Sequence, residues 1–340
     1  MLVDLRSDTV TRPTPEMRRA MAEAEVGDDE YGEDPTVNHL QETFAELVGK
    51  PAALFVPSGT MSNQIALQVL TRPGDAVVVG AHQHVVLYEE GAAAINAGIS
   101  WAPADDSGGS IGPSDVEAAV ERSRHHQPGI GAVAVEDTHM ASGGTVWDLD
   151  RLEAVASAAR RYGLPVHLDG ARLWHASVAS GEKLSDRAAP ATLVTCCLSK
   201  ALSAPVGSVL AGPQELIDEA RLRRKRLGGT MRQAGVLAAA GLVAIGSGID
   251  RLAEDHERAT RLAVAVAERW PDARCDPRRV QTNIVLFSHP DPAALVEYLR
   301  DKQVLAGTIA PGTVRLVTHR DVGDDGIDLA CKAIAGAPTA

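Results

Sequence analysis

VHLDGARLWHASVASGEKLSDRAAPATLVTCCLSKALSAPVGSVLAG, residues 166–212, holds three short apolar runs separated by polar segments. Val166–Leu168, Leu193–Cys196 and Val206–Leu210 lack polar alternation, which is how strands covered on both faces read. An acidic residue, Asp169, follows the first run, and Lys200 follows the second. Working outward, Ala52–Val56, Ala76–Val79 and Ala132–Val135 carry the same signature. Helix-length segments, Met61–Leu70, Pro113–Arg124 and Leu149–Tyr162, alternate with them. That rhythm predicts an α/β layer fold on a mainly parallel sheet. Ligands in such folds sit outside the carboxyl ends of the strands, so the residues just after each run become candidates.

Beyond residue 211 the pattern changes to long helical segments, Pro213–Leu227, Gln233–Gly246 and Ile249–Trp270. Two strand-like pieces, Thr282–Phe287 and Thr313–Thr318, follow, with a helix over Pro290–Asp301 between them. The expected division is an extended arm at 1–14, a large domain at 15–247 and a small α+β domain at 248–340. Gly/Ala-rich 233–249 reads equally as a core helix or as a close-packed interface helix.

The chain has 340 residues, 33 Lys+Arg against 45 Asp+Glu, and a net charge of −12. That acidic balance argues against nucleic-acid or anionic-membrane partners, which want a basic face. Apolar residues at 45% permit a sizeable core, and aromatics at 3% mean that small aliphatic side chains must build it. Cys196, Cys197, Cys275 and Cys331 show no C-x-x-C spacing and suit neither a disulfide framework nor a zinc site. Asp4, Arg6 and Asp8 stand where a signal peptide needs an apolar run, so a cytoplasmic protein is expected. No cluster of ligands calls for a metal. His39 and His256 sit in charged helical contexts and read as solvated, and the basic run Arg221–Arg226 reads as a solvated or subunit-facing stripe.

Three features carry chemistry. Ser58-Gly59-Thr60 lies between a strand and a helix, where free backbone N–H groups and hydroxyls form a phosphate cradle; an ordinary Ser N-cap reads the same way. Asp169, buried at a strand end, needs a cation: either Arg172, as a structural pair, or a ligand cation such as a pyridinium nitrogen, with Gly170 admitting the ring. Lys200 is either a snorkelling surface lysine or a desolvated amine able to form a Schiff base. Cradle, strand-end Asp and strand-end Lys, in that order, are what pyridoxal phosphate chemistry requires.

DLRSDTVTRPTPEMRRAM, GDDEYGEDPTVNHLQ, FVPSGTMSNQIAL, HLDGARLWHA, CLSKALSAPVGSVLAG and RKRLGGTMRQAGVLAAA, collinear from residue 4 to 240, resemble the successive blocks of the L-threonine aldolases. That family belongs to the fold type I pyridoxal-phosphate enzymes. The resemblance implies a seven-stranded, aspartate-aminotransferase-like large domain and retro-aldol cleavage of β-hydroxy-α-amino acids to glycine and an aldehyde. It makes Lys200 the lysine that carries the cofactor, Asp169 the partner of its ring nitrogen, and Ser58, Gly59 and Thr60 its phosphate cradle. His84 matches the histidine that stacks on the ring. Arg172 and Arg315, with Ser7, match groups binding the cofactor's ring oxygen or the substrate carboxylate. His126 matches a histidine near the substrate hydroxyl, so that His126, His84 or a water held by them are the candidates for the base that takes its proton, and Tyr31 and Arg232 match positions that reach the cofactor partly from a neighbouring subunit. His139 and His167 flank the site in sequence. The family is usually tetrameric, so a homotetramer is expected. The alternative is another pyridoxal-phosphate lyase, β-eliminating, or an aminotransferase on the same fold.

Some positions depart from the family pattern. Ala201 and Ser203 replace glycines after Lys200, Glu136-Asp137-Thr138-His139-Met140 replaces Glu-Asn-Thr-His-Asn, and Trp174 and His175 stand where smaller or amide residues are usual. None removes a catalytic group.

Overall fold

A computed structural model of the chain describes residues 1–338. Seven runs pair into the central sheet: β2 (Ala52–Val56), β3 (Ala76–Gly80), β4 (Ser100–Ala104), β5 (Ile130–Glu136), β6 (Val166–Asp169), β7 (Leu193–Cys197) and β8 (Ser208–Gly212), after a short β1 at Val3–Asp4. Their order is β2-β8-β7-β6-β5-β3-β4. Only β8 runs against its neighbours. Six of these strands coincide with the apolar runs. The seventh, β4, has the sequence Ser-Trp-Ala-Pro-Ala and lies on the sheet edge, half exposed, where neither a continuous apolar run nor a full set of N–H donors is needed. The last strand starts two residues later than Val206 because Gly207 turns the chain at φ +114°. A Cβ there would meet the Phe55 ring at 2.4 Å.

The helices are α1 (Pro15–Glu23), α2 (Pro35–Val48), α3 (Gly59–Leu70), α4 (His84–Leu87), α5 (Ala92–Asn96), α6 (Pro113–Ser123), α7 (Leu149–Arg161), α8 (Leu173–Ser180), α9 (Leu184–Ala188), α10 (Gln214–Arg226), α11 (Gly235–Gly248), α12 (Leu252–Arg269), α13 (Pro292–Asp301) and α14 (Asp324–Ala335). Several begin on side-chain caps: Asp34 accepts from Val37 N, Ser58 from Met61 N and Asp148 from Arg151 N. The Gly/Ala-rich helix buries one face in the core and leaves the other, with Val236, exposed. α11 packs on α1 and α2, and Gly241 lets it approach Leu40 and Leu198, which an added Cβ would meet at 3.0 and 2.9 Å.

A second apolar cluster gathers Leu262, Val266, Phe287, Leu316 and Ile327 from beyond residue 250. It lies under an antiparallel sheet of β9 (Ile284–Ser288), β11 (Gly307–Ala310) and β12 (Thr313–Val317). Val3 and Leu5 of the N-terminal segment join it, with β1 pairing in parallel to β10 (Val304–Leu305). The arm therefore packs against late-sequence residues, then turns at Asp8–Val10 toward the central sheet. His256 is not solvated as expected: on α12 it is half-buried, its Nε2 2.8 Å from Nδ1 of buried His175 on α8. His39 is exposed. Among the described residues no single helix is long and apolar enough to cross a membrane.

Candidate active site

The carboxyl ends of β3, β5, β6 and β7 open onto one face of the sheet. Asp169, the last residue of β6, is 5% exposed. Its Oδ1 accepts from Ala171 N at 3.0 Å and its Oδ2 from Asn63 Nδ2 at 2.7 Å. Gly170 is needed beside it because a Cβ would lie 2.7 Å from the Thr195 carbonyl oxygen on β7. The sequence left Arg172 open as the structural partner of Asp169, and the structure gives that arginine to Asp8 instead. Arg172 donates from Nε to Asp8 Oδ2 at 2.8 Å and from Nη2 to Asp8 Oδ1 at 2.6 Å. Burial works against ionisation of Asp8, but the Arg172 charge and hydrogen bonds outweigh it and hold the carboxyl well below the usual range.

Lys200 stands three residues past the end of β7, half-buried. The turn that carries it is fixed by its own carbonyl, which accepts from Thr11 Oγ1 and Ser203 N, each at 2.8 Å. Its charge reaches Asp8. Ser203, buried in the same turn, holds φ +67°, a left-handed conformation that favours glycine.

At the start of α3 both readings of Ser58 coexist. Its Oγ caps the helix by accepting from Met61 N at 3.1 Å, while the hydroxyl hydrogen stays free to donate. Gly59 is pinned from behind: a Cβ would lie 2.8 Å from Cys197 Sγ. Thr60 is exposed. A helix N-terminus with two hydroxyls at the sheet's carboxyl edge suits a phosphate.

His84 opens α4 at the mouth of this face. Its backbone N donates to Glu136 Oε2 at 2.5 Å, its Nδ1 lies 3.1 Å from Glu89 Oε1, and its ring packs on Tyr88 with centroids 5.6 Å apart. Glu136 ends β5 in register with Asp169; burial and then the Asp169 charge push its carboxyl up. His139 donates or accepts with Asp106 Oδ2 at 2.9 Å and Ser142 Oγ at 2.9 Å; burial lowers it, but Asp106 and Glu136 raise it further. His167 lies 2.9 Å from Asn63 Oδ1, and burial pushes it down.

Arg315 on β12 reaches in from the second cluster. Its Nη2 donates to the Arg6 carbonyl at 3.1 Å, whereas its Nε, buried, has no partner among the described residues. Burial and then the neighbouring Arg172 charge pull its guanidinium below the usual range, against the opposing charge of Asp8. Ser7 is half-buried nearby in sequence, its Oγ capping the Asp8–Val10 turn by accepting from Thr9 N at 3.2 Å.

Three expected residues stand apart within one chain. His126 is exposed on the connection before β5, so the length of that strand, ~20 Å, separates it from Glu136 at the site. Tyr31 is 76% exposed. Arg232 is exposed and pairs with Glu30 at 2.8 Å and Asp28 at 3.5 Å. Conversely, Asp8, Asn63, Glu89 and Glu136 belong to the cluster and were not singled out from sequence. For Asn63 and Glu89 the available signal was only their place one turn into the helix after the cradle and five residues past His84.

This donor set fits pyridoxal phosphate. A carboxylate could accept at the ring nitrogen and a helix N-terminus could take the phosphate, a lysine stands three residues past the end of the adjoining strand, and one guanidinium nitrogen, Nε of Arg315, is left for a carboxylate.

The β-eliminating lyase family model matches residues 4–290. A low-specificity L-threonine aldolase of Escherichia coli K12 is 41% identical, over 94% of this chain and 95% of its own length. Low-specificity L-threonine aldolase 1 of Arabidopsis thaliana is 39% identical, over 94% and 92%. Among solved structures, a threonine aldolase of Leishmania major superposes with a TM-score of 0.83 at 22% identity, covering 98% of both chains. A serine palmitoyltransferase of Sphingomonas wittichii gives 0.76 at 16% identity, over 98% of this chain and 86% of that one, a likeness of fold. The site geometry and the near full-length relatives agree, and the chain belongs to the β-eliminating lyase family as one of its low-specificity L-threonine aldolases, fold type I enzymes that work with pyridoxal phosphate.

Proposed function

We propose that the chain cleaves L-threonine, L-allo-threonine and other β-hydroxy-α-amino acids reversibly to glycine and an aldehyde, with its own residues in the following roles. Lys200 supplies the amine that holds the cofactor, Ser58, Gly59 and Thr60 hold its phosphate, and Asp169 keeps a proton at its ring nitrogen. Bound pyridoxal phosphate serves as the sink for the electron pair released when the Cα–Cβ bond breaks. Arg315 takes the substrate carboxylate on its unpartnered Nε, with Ser7 assisting. Arg172, anchored by Asp8, presents its remaining Nη1 toward the carboxylate or the ring oxygen. Holding the carboxylate fixes rotation about the bonds at Cα, so the bond to be broken stands across the ring plane. His84 takes the β-hydroxyl proton, being the histidine at the mouth of the cluster.

The observation that carries this reading is Arg315: a buried guanidinium Nε without a partner, beside Arg172, on the face that bears Asp169 and Lys200. Tyr31 and Arg232, exposed in one chain, are assigned to the cofactor site of a neighbouring copy in a homotetramer. The acidic composition and four free cysteines favour the cytoplasm.

The test is acetaldehyde release from L-threonine, read as NADH consumption by a coupled alcohol dehydrogenase, in wild type, Lys200→Ala and Arg315→Ala. Release by wild type, loss of the visible cofactor band in Lys200→Ala, and a KM rise of ~10-fold or more in Arg315→Ala are expected. Pyruvate and ammonia from L-serine without acetaldehyde from L-threonine would move the enzyme to β-elimination.

A further inference from the structure

Glu89 has no role in the reaction as described, yet its side chain is fully buried and three donors converge on it. Asn63 Nδ2 donates to Oε1 at 2.9 Å, Gln64 Nε2 donates to Oε2 at 2.6 Å, and His84 Nδ1 lies 3.1 Å from Oε1. Asn63 Nδ2 spends its other hydrogen on Asp169 Oδ2, 2.7 Å away. One amide therefore stands between two carboxylates that would otherwise repel each other.

The direction of every bond follows from what each group can do. Glu89 and Asp169 as carboxylates only accept, so the Asn63 NH2 must face them and its Oδ1 must face His167. His167 then carries a hydrogen on Nε2, which it donates to Asn63 Oδ1. The same logic puts a hydrogen on His84 Nδ1, because the atom facing it on Glu89 cannot donate. Nε2, on the far side of the ring, is then the unprotonated nitrogen.

We infer that Glu89 is a positioning residue: it fixes the His84 tautomer that leaves Nε2 free to accept the substrate's hydroxyl proton, and through Asn63 it ties that ring to Asp169. The inference rests on His84 acting as the base. Free imidazole prefers its hydrogen on Nε2, the tautomer that would present a donor where an acceptor is needed. Glu136 complements this by holding the His84 backbone, so one carboxylate places the residue and the other orients its ring.

The test reads the tautomer directly, by nitrogen NMR of holoenzyme labelled at histidine nitrogens, with His84→Asn identifying the His84 signals. In wild type, neutral His84 is expected with its hydrogen on Nδ1. Glu89→Gln keeps an acceptor oxygen and is expected to keep that tautomer. Glu89→Ala is expected to move the hydrogen to Nε2 and to lower kcat on L-threonine by ~10²-fold or more, with KM within about two-fold, as for other histidines held in the wrong tautomer. Wild-type His84 protonated on Nε2, or Glu89→Ala with an unchanged tautomer, overturns the proposal. Should Glu89→Ala not fold, the wild-type signal decides alone. The NMR reading does not depend on threonine being cleaved, so failure of the aldolase assignment and failure of this inference are separate results.

Discussion

Asp8 and Arg172 close on each other through two parallel hydrogen bonds, 2.8 and 2.6 Å, with the Asp8 side chain wholly buried and Arg172 nearly so. They are 164 positions apart. The pair fastens the N-terminal segment to the strand-end loop that follows Asp169, and it fills the Arg172 fork that sequence alone reserved for ligand or for Asp169.

Removing one partner leaves a buried charge uncompensated. Asp8→Ala is therefore expected to lose ~3–5 kcal/mol of unfolding free energy in urea titration, and cofactor affinity with it. The folded-state carboxyl is held below its unfolded value, so its contribution is present at neutral pH and is lost only as pH falls through the folded value. A variant within ~1 kcal/mol of wild type would show that the pair is not what holds the segment.

Gly59 tests the cradle by space alone. Alanine there drives a Cβ to 2.8 Å from Cys197 Sγ, and either α3 or β7 must shift. Gly59→Ala is expected to weaken pyridoxal phosphate binding ~10-fold or more, measured by titrating the visible band, and Cys197→Ala added to it to recover most of the loss. Simple additivity of the two changes would place the strain elsewhere.

Ser203 occupies a left-handed conformation without the freedom of the glycine usual in the family. Ser203→Gly relieves strain but loosens the unfolded chain and gives up a 3.3 Å contact to the Ala201 carbonyl. The net expectation is stabilisation of ~1 kcal/mol, a rise of a few degrees in Tm. A lower Tm would mean that the Ser203 hydroxyl matters more than its backbone.

The His175–His256 pair makes the protein acid-sensitive. Burial, and then the His256 ring with Arg172 and Arg251, hold His175 well below its usual range against the opposing charge of Asp8, and burial pushes His256 down to about 4. The unfolded chain thus takes up protons near pH 6.5 while the folded chain does not, so stability falls as pH drops from about 6.5 toward 4 and is flat above. For His256 alone the full loss is ~3 kcal/mol. Urea midpoints at pH 7.5 and 5 should converge in His256→Gln relative to wild type; equal slopes in both proteins would refute the assignment.

The continuous apolar strands were legible because burial on both faces leaves no room for polar alternation, and the places of Asp169 and Lys200 at the sheet's carboxyl edge followed from the ends of those strands. β4 was not, since an edge strand tolerates Pro103 and a half-exposed Trp101. Asp8, Asn63 and Glu89 escaped notice for a different reason. Their chemistry lies in pairings across 164, 106 and 26 positions, and no local pattern of residue types encodes such a distance. His256 was misread because a charged helix face looks the same in sequence whether it meets water or a second helix.

The parallel pairing of Val3 with Val304 sets a timetable for synthesis. The strand around Val3 leaves the ribosome roughly three hundred residues before its partner exists, and Leu5, whose carbonyl accepts from Val317 N, waits longer still. At roughly 5–20 residues per second, Asp8 can reach Arg172 within half a minute or so, but the stretch preceding it stays unpaired for up to about a minute. Arg315 is made in that same late interval. A nascent chain interrupted before residue 304 would carry Lys200 and Asp169 without Arg315, the cation proposed above to hold the substrate carboxylate.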